Sequence, residues 1–338
     1  MESRLDNRPV ILFISQAIGT SNDRTNTYCG VGIRGELTSK ILTSIPSDKY
    51  NFIREFVDNN NDLDIVIQKN CPKVIIYNYH SGATPWLNDQ SLRLKYKSIK
   101  HIMIHYDLLQ DHVDHFNPDN FAGFKYVISD NDTLITDNSR IFIVPRSTPF
   151  SDKIHIENRV DIIPKIGFQG FGLPHKGIAK LAHQIQSEFD EAIFRLHMPY
   201  SYFCDRDGHE AKTRVNEVRS IITKPGITIE VSHDFLSDED IIKWLNENTV
   251  NCYFYDYLPN SGIASSPDYA IAARRPIAIN NSRMVVNLHN LTPSIEIEKS
   301  SLKEIINNGI TPLLPIYEKY KKENVVKRYE EICDILLK

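Results

Sequence analysis

Short, unbroken apolar runs alternate along the chain with longer stretches in which apolar residues return every three or four positions. Val10 to Ser15 (VILFIS), Val74 to Tyr79 (VIIYNY) and His101 to His105 (HIMIH) are strand-length runs of the kind that strands buried on both faces of a parallel sheet require. Tyr126 to Ser129 and Ile141 to Val144 predict two more short strands, the second stopped by Pro145. After the first run, Leu37, Ile41 and Leu42 have helical spacing. Between Arg146 and Pro164 turn formers and charges replace the periodic pattern, which marks a domain boundary.

The alternation then restarts. A strand from Ile166 leads through a glycine-rich loop to a helix carrying Ile178, Leu181 and Ile185, and strands are predicted at Ala192 to Leu196 and Ile227 to Val231. Ser237, followed by Asp238, Glu239 and Asp240, has the composition of a capped helix start. Val250 to Phe254 and Pro276 to Ile279 then bracket a loop and a helix that opens at Ser265-Ser266-Pro267-Asp268. From Ile316 to Leu337 a charged amphipathic pattern, with Val325, Val326, Tyr329, Ile332, Ile335 and Leu336 apolar, predicts a terminal helix or helix pair. The fold class is α/β.

Composition narrows the function classes. At 338 residues the chain has room for two domains of roughly 150 residues each, and 41% hydrophobic with 24% charged residues is a globular composition. A net charge of -4 excludes a nucleic-acid surface, which needs clustered Lys and Arg over a long footprint. The five cysteines are scattered and never form a C-x-x-C pair, so neither a disulfide framework nor a structural zinc site is expected, and a reduced, cytoplasmic setting fits. The polar start MESRLDNRPV has no signal-peptide pattern and no apolar run reaches the length of a membrane span, so work at a membrane would be done from its inner surface. Lys319, Lys321, Lys322, Lys327 and Arg328 read as a solvated face, with peripheral membrane contact as the alternative.

Several stretches carry candidate chemistry. Gly30 and Gly32 would let backbone approach a ligand near the end of the first strand; Gly35 completes a G-x-G-x-x-G spacing, but a long loop precedes it and no acidic residue ends a clear second strand. His80 and His105 both fall at or just beyond strand carboxyl ends, where open α/β sheets place ligands. Asp111-His112-Val113-Asp114-His115 has metal-like residues but no further ligand set, so a solvated helix end is the plainer reading. In GFQGFGLPHKG, Gly170 and Gly172 free backbone amides to face a phosphate and Lys176 adds a point charge, although the Ser or Thr of a Walker A loop is missing. Pro259 to Gly262 and the Ser265-Ser266 helix start make a second anion-binding arrangement.

In order and character, GFQGFGLPHKG, FLSDEDIIKWL and NSGIASSPDYAIAARRPIAI resemble the GT-B glycosyltransferases whose donor domain carries a Lys-Gly loop and an E-x7-E motif; TYCGVGIRGEL and IMIHYD match more loosely. The resemblance implies a GT-B fold, with two Rossmann-like domains whose parallel sheets face each other across a cleft. An acceptor domain would occupy residues 1–155, a nucleotide-sugar donor domain 156–312, and a terminal helix, 313–338, would pack back on the first domain. It implies transfer of a sugar from a nucleotide-diphosphate sugar to a carbohydrate or lipid-linked glycan in bacterial surface polysaccharide synthesis, with neither metal nor cofactor. By position, Gly30, Gly32, Gly172, Lys176, Asn260, Ser261, Gly262, Ile263, Ser265 and Ser266 would surround the donor diphosphate and sugar. Phe235, Leu236 and Asp268 would hold the nucleoside, and His105 with Asp107 would serve the acceptor. Asn260 and Asp268 replace the two glutamates of the motif, and counting back from Pro276 would set Tyr269 in place of Asp268. A non-catalytic relative that binds a sugar or partner protein, and a nucleotide-sugar epimerase, are the alternatives.

Overall fold

The computed structural model describes residues 7–15, 30–150, 154, 161–201, 204–259 and 261–338. Their described parts form two compact units, one of residues 7–15, 30–147 and 319–338, the other lying within 148–318.

In the first unit, β1 (Val10–Ser15), β2 (Asn51–Phe56), β3 (Val74–Asn78), β4 (Lys100–Ile104), β5 (Tyr126–Ser129) and β6 (Ile141–Ile143) make one sheet in the order β2-β1-β3-β4-β5-β6. Every pairing is parallel. Because side chains alternate across a strand, Ile11 and Phe13 enter the core on one face while Leu12 and Ile14 enter the other. The first face is covered by the helix Gly30–Ser44 and by the last helix of the chain, Lys322–Leu336, which contributes Val325, Val326, Tyr329, Ile332, Cys333 and Leu336. The second takes Leu63 and Ile67 of the helix Asn60–Asn70.

Two features of this unit depart from the sequence reading. Strand β2 was not expected: it is an edge strand, NFIREF, in which Phe52 alone is buried, so it shows no continuous apolar run. With it, the sheet does have a second strand after the first helix. Gly35 lies in that helix, where a Cβ would stand 2.1 Å from the Asn78 side chain, so its role is close helix-to-sheet packing. The basic cluster is solvent-facing as expected, with Lys319, Lys321 and Lys327 exposed and Lys322 and Arg328 half-buried, but part of it is paired. Lys319 pairs with Asp132 at 2.7 Å, Arg328 pairs with Glu331 at 2.9 Å and donates to the Ile143 carbonyl, and Tyr320 donates to Asp132 at 2.8 Å.

The second unit holds β7 (Lys165–Gln169), β8 (Glu191–His197), β9 (Gly226–Ser232), β10 (Val250–Tyr253) and β11 (Ile277–Ile279), again parallel, in the order β11-β10-β7-β8-β9. Its main helices are Ile178–Glu188, His209–Ile221, Asp238–Asn246, Ser266–Ala272 and Leu302–Asn308. Ser237 caps Asp238–Asn246 as its sequence predicts, accepting from the Asp240 N–H at 3.2 Å. His209–Ile221 was not anticipated, because only Ala211, Val215 and Val218 of its thirteen residues are buried. Among the described residues no helix is long and apolar enough to cross a membrane.

The packing of Lys322–Leu336 into the first core is testable. Ile332, 1% exposed, should cost roughly 2–5 kcal/mol on truncation to Ala, read as a lowered urea midpoint at unchanged slope.

Candidate functional site

In the second unit the site is built on the turn between β7 and the helix Ile178–Glu188. Gly177 has φ +65, and a Cβ there would fall 1.6 Å from the Phe254 carbonyl oxygen, so only glycine permits the turn to press on the chain leaving β10. The Asp256 N–H donates to the His175 carbonyl at 2.8 Å and Lys180 pairs with the Asp256 carboxylate, which closes the turn from the other side. Lys176 is thereby fixed with its ammonium 4.6 Å from the Tyr255 ring centroid. Among the described residues no carboxylate pairs with it. Burial pulls its pKa down from 10.5 to about 8, with a small opposing effect from Cys204. His175 beside it is pushed down to about 4, by burial first and by the Lys176 charge second.

The carboxyl ends of the central strands of this sheet also carry buried polar atoms without partners among the described residues. Gln169 Oε1 ends β7, His197 Nε2 ends β8, and the Tyr253 and Tyr255 hydroxyls lie at the end of β10. The His197 Nδ1 is satisfied by Ser232 Oγ at 2.8 Å, and the Tyr255 hydroxyl lies beside Ser266 without a bond of good geometry. Buried polar atoms are nearly always bonded, so a cluster of orphans at one end of a sheet is the mark of a place where water or a polar ligand sits. None of these four groups was singled out from the sequence. The signal was the tyrosines of CYFYDY, polar tips in an otherwise buried run.

The other expected donor residues fall as follows. Gly170 stands against Ser266, where a Cβ would be 3.0 Å from Oγ, which brings the β7 loop and the helix start together. Gly172 is buried against Ala211, with a Cβ position 2.5 Å from the Ala211 Cα, so its missing side chain is required by helix packing. The helix Ser266–Ala272 has only seven residues, and Ser265 makes no side-chain cap bond, so the anion-attracting weight given to this helix start passes largely to Lys176. Asp268 is 2% exposed and its N–H bonds to the Ser265 carbonyl, which encloses the carboxylate under the helix. Tyr269 donates to Asp238 at 2.8 Å. Ser261 and Ile263 are half-buried, Gly262 is buried, and the Ala264 N–H donates to the Met284 carbonyl. Phe235 and Leu236 are half-buried just ahead of the Ser237 cap. Asn260 lies outside the described residues.

In the first unit the two strand-end histidines meet a third. His105 follows β4, with its N–H on the Ile128 carbonyl at 2.9 Å and its ring 5.4 Å from Phe121 and 6.3 Å from His112. Burial lowers its pKa to about 4; Asp107 opposes the shift, while His112 and His80 reinforce it. Its Nδ1 is buried without a partner. His112 was expected at a solvated helix end and instead faces His105; Asp111 and His115 do remain exposed, 3.2 Å apart. Gly30 and Gly32 occupy the first turn of the helix Gly30–Ser44. Arg34 of the same turn is buried in an ion pair with Asp130, which Arg146 also approaches at 3.6 Å.

No protein-family model matches the chain, and no curated protein does. Solved structures match over nearly their whole length. A glycosyltransferase from Rickettsia africae ESF-5 aligns with a TM-score of 0.63 at 11% identity, covering 98% of this chain and 99% of that one. Anabaena Alr3699/HepE in complex with UDP and glucose aligns with a TM-score of 0.61 at 12% identity, covering 97% of this chain and 100% of its own. AviGT4, a glycosyltransferase of avilamycin A biosynthesis, gives 0.59 at 10% identity, covering 98% of each chain. The fold class is therefore settled: two parallel-sheet α/β units of the GT-B type. Glycosyltransferases are among the proteins of that fold to which this chain is similar.

His105 offers a direct check on the first-unit geometry. With its pKa lowered from 6.5 to about 4, the folded state binds fewer protons than the unfolded state between those values, so its contribution to stability is lost as pH falls through that window. The His105 ring signals in an NMR titration should stay those of neutral imidazole down to about pH 5.

Proposed function

We propose that this chain is a glycosyltransferase that moves a sugar from a nucleotide-diphosphate sugar to a hydroxyl of a carbohydrate or lipid-linked glycan. The observation that carries the reading is Lys176, a half-buried side chain with no carboxylate partner among the described residues, its ammonium set over the Tyr255 ring in the turn after β7 of a GT-B sheet whose strand ends carry orphaned hydrogen-bonding groups. A buried cation without a counter-charge is costly, and an anionic ligand removes that cost. In glycosyl transfer the bond from the anomeric carbon to the diphosphate oxygen breaks and the electron pair leaves with the diphosphate, where an ammonium fixed in advance stabilises the growing charge. The Tyr253 and Tyr255 hydroxyls, Gln169 and His197 are suited to the polar atoms around it.

His105 takes the acceptor's side. A ring held neutral, with a pKa near 4, accepts a hydrogen bond readily but holds a proton weakly, so it orients the acceptor hydroxyl more than it deprotonates it. Asp107, whose charge His105 senses, is the second group placed beside it to receive the proton released as the new glycosidic bond forms. The Anabaena neighbour's complexes with UDP and UDP-glucose make a UDP-sugar the first donor to try. The acceptor proposed is a bacterial surface glycan assembled at the cytoplasmic face of the membrane, and the transfer is metal-independent because Lys176 supplies the positive charge.

Calorimetry with UDP and GDP tests the donor site. One of them should bind, and Lys176→Ala should weaken it at least about tenfold, the loss of one charge-assisted contact of roughly 1.5–3 kcal/mol. Affinity should also decline as pH rises past about 8, where the free enzyme loses the Lys176 proton. Absence of binding by either nucleotide overturns the proposal, and binding without turnover of any sugar nucleotide points to a non-catalytic relative. Transfer should survive EDTA; a strict requirement for a divalent ion would replace the Lys176 mechanism with a metal-based one.

A further inference from the structure

A cavity lies between the helix His209–Ile221 and the edge strand β9. It has a volume of about 280 Å³ and is lined by Tyr200, Lys212, Val215, Asn216, Arg219, Val231 and His233. Lys212, Val215, Asn216 and Arg219 recur at i, i+3, i+4 and i+7, so one helix face supplies two cations, an amide and an apolar floor that Val231 extends. No carboxylate lines it. The acids next to this face are already engaged elsewhere, Glu217 with Arg214 at 2.6 Å and Glu230 with Arg195 at 3.0 Å. Lys212 has only the Asp207 carbonyl, at 3.1 Å, and the Tyr200 ring, at 5.4 Å. Arg219 has no partner among the described residues.

The wall of the cavity is rigid. Tyr200 and His233 pack with centroids 4.8 Å apart and planes 30° from parallel. His233 Nδ1 faces the Met198 carbonyl at 2.8 Å; a carbonyl can only accept, so Nδ1 carries the proton and Nε2 remains an acceptor. The cavity thus combines a small apolar floor, groups that bond hydroxyls in both directions (Asn216, Tyr200, His233 Nε2) and an uncompensated positive charge. Its volume falls just under the roughly 300–1,000 Å³ of pockets for drug-sized ligands, which suits a single substituted ring.

We infer that this cavity binds an acidic monosaccharide, a sugar ring bearing a phosphate or carboxylate, at a site separate from that of the donor. The hydroxyls meet Asn216 and the Tyr200–His233 wall, and the anion meets Lys212 and Arg219. The ligand is either a free acidic sugar or an acidic residue of a glycan chain.

Calorimetry or ligand-observed NMR on the full chain, with glucose 6-phosphate, glucuronate, glucose and inorganic phosphate as probes, tests this. At least one acidic sugar should bind at least about tenfold tighter than glucose and than phosphate alone. The double variant Lys212→Ala/Arg219→Ala should lose at least about tenfold in that affinity while binding UDP as the unmodified chain does, whether or not UDP proves to be the donor nucleotide. The methyl glycoside of glucuronate separates the sources: binding equal to glucuronate assigns a chain residue, and its exclusion assigns a free sugar. The inference is overturned if no acidic sugar binds, if the double variant binds it unchanged, or if Lys176→Ala abolishes the binding, which would return the ligand to the donor site.

Discussion

The contact between Gly177 and the Phe254 carbonyl determines where the charge of the second unit stands. With backbone pressed on backbone, the turn cannot shift without lifting off β10, and Lys176 is held by chain geometry instead of by an ion pair. This is consistent with an ammonium that has no carboxylate partner among the described residues. An ion pair would have fixed the side chain equally well but would have neutralised it, whereas a glycine-to-carbonyl contact positions the cation and leaves its field intact. The Lys180–Asp256 pair then bears the structural load at the surface, where a paired charge is inexpensive.

The helices that follow the first strands of the two sheets differ in their electrostatics. Each first strand of its sheet leads to a helix whose early residues carry a cation, Arg34 in one and Lys176 just ahead of the helix in the other. Arg34 is buried against Asp130 and set over the Tyr106 ring at 5.3 Å, so its charge is absorbed by the fold. Lys176 meets only an aromatic face. In the first unit burial also holds the His105 ring neutral, with its pKa lowered to about 4.

Much of this was legible in the sequence because buried parallel strands write themselves as unbroken apolar runs, and ten of the eleven strands follow such runs or their short equivalents. The edge strand β2 and the helix His209–Ile221 were missed for one reason: each buries only a thin line of side chains, so its pattern is mostly polar. Lys176 and its glycines stood out as a motif. Tyr253, Tyr255 and His197 did not, because an orphaned hydroxyl or ring nitrogen is a property of surroundings assembled from three different strands. Likewise His112 looked like a helix-end residue until the fold turned it toward His105.

The place of the last helix in the first core has a consequence for biosynthesis. The first unit's sheet leaves the ribosome early, but Tyr329, Ile332 and Leu336, which cover one of its faces, emerge only after the whole of the second unit has been made. For that interval the nascent chain carries an apolar sheet face around Phe13, Ile76 and Ile104 whose final cover does not yet exist. The described residues of the second unit all lie within 148–318, so none of them waits on residues made after 318. Its completion can therefore precede that of the unit synthesised before it, reversing the usual N-to-C order of domain folding.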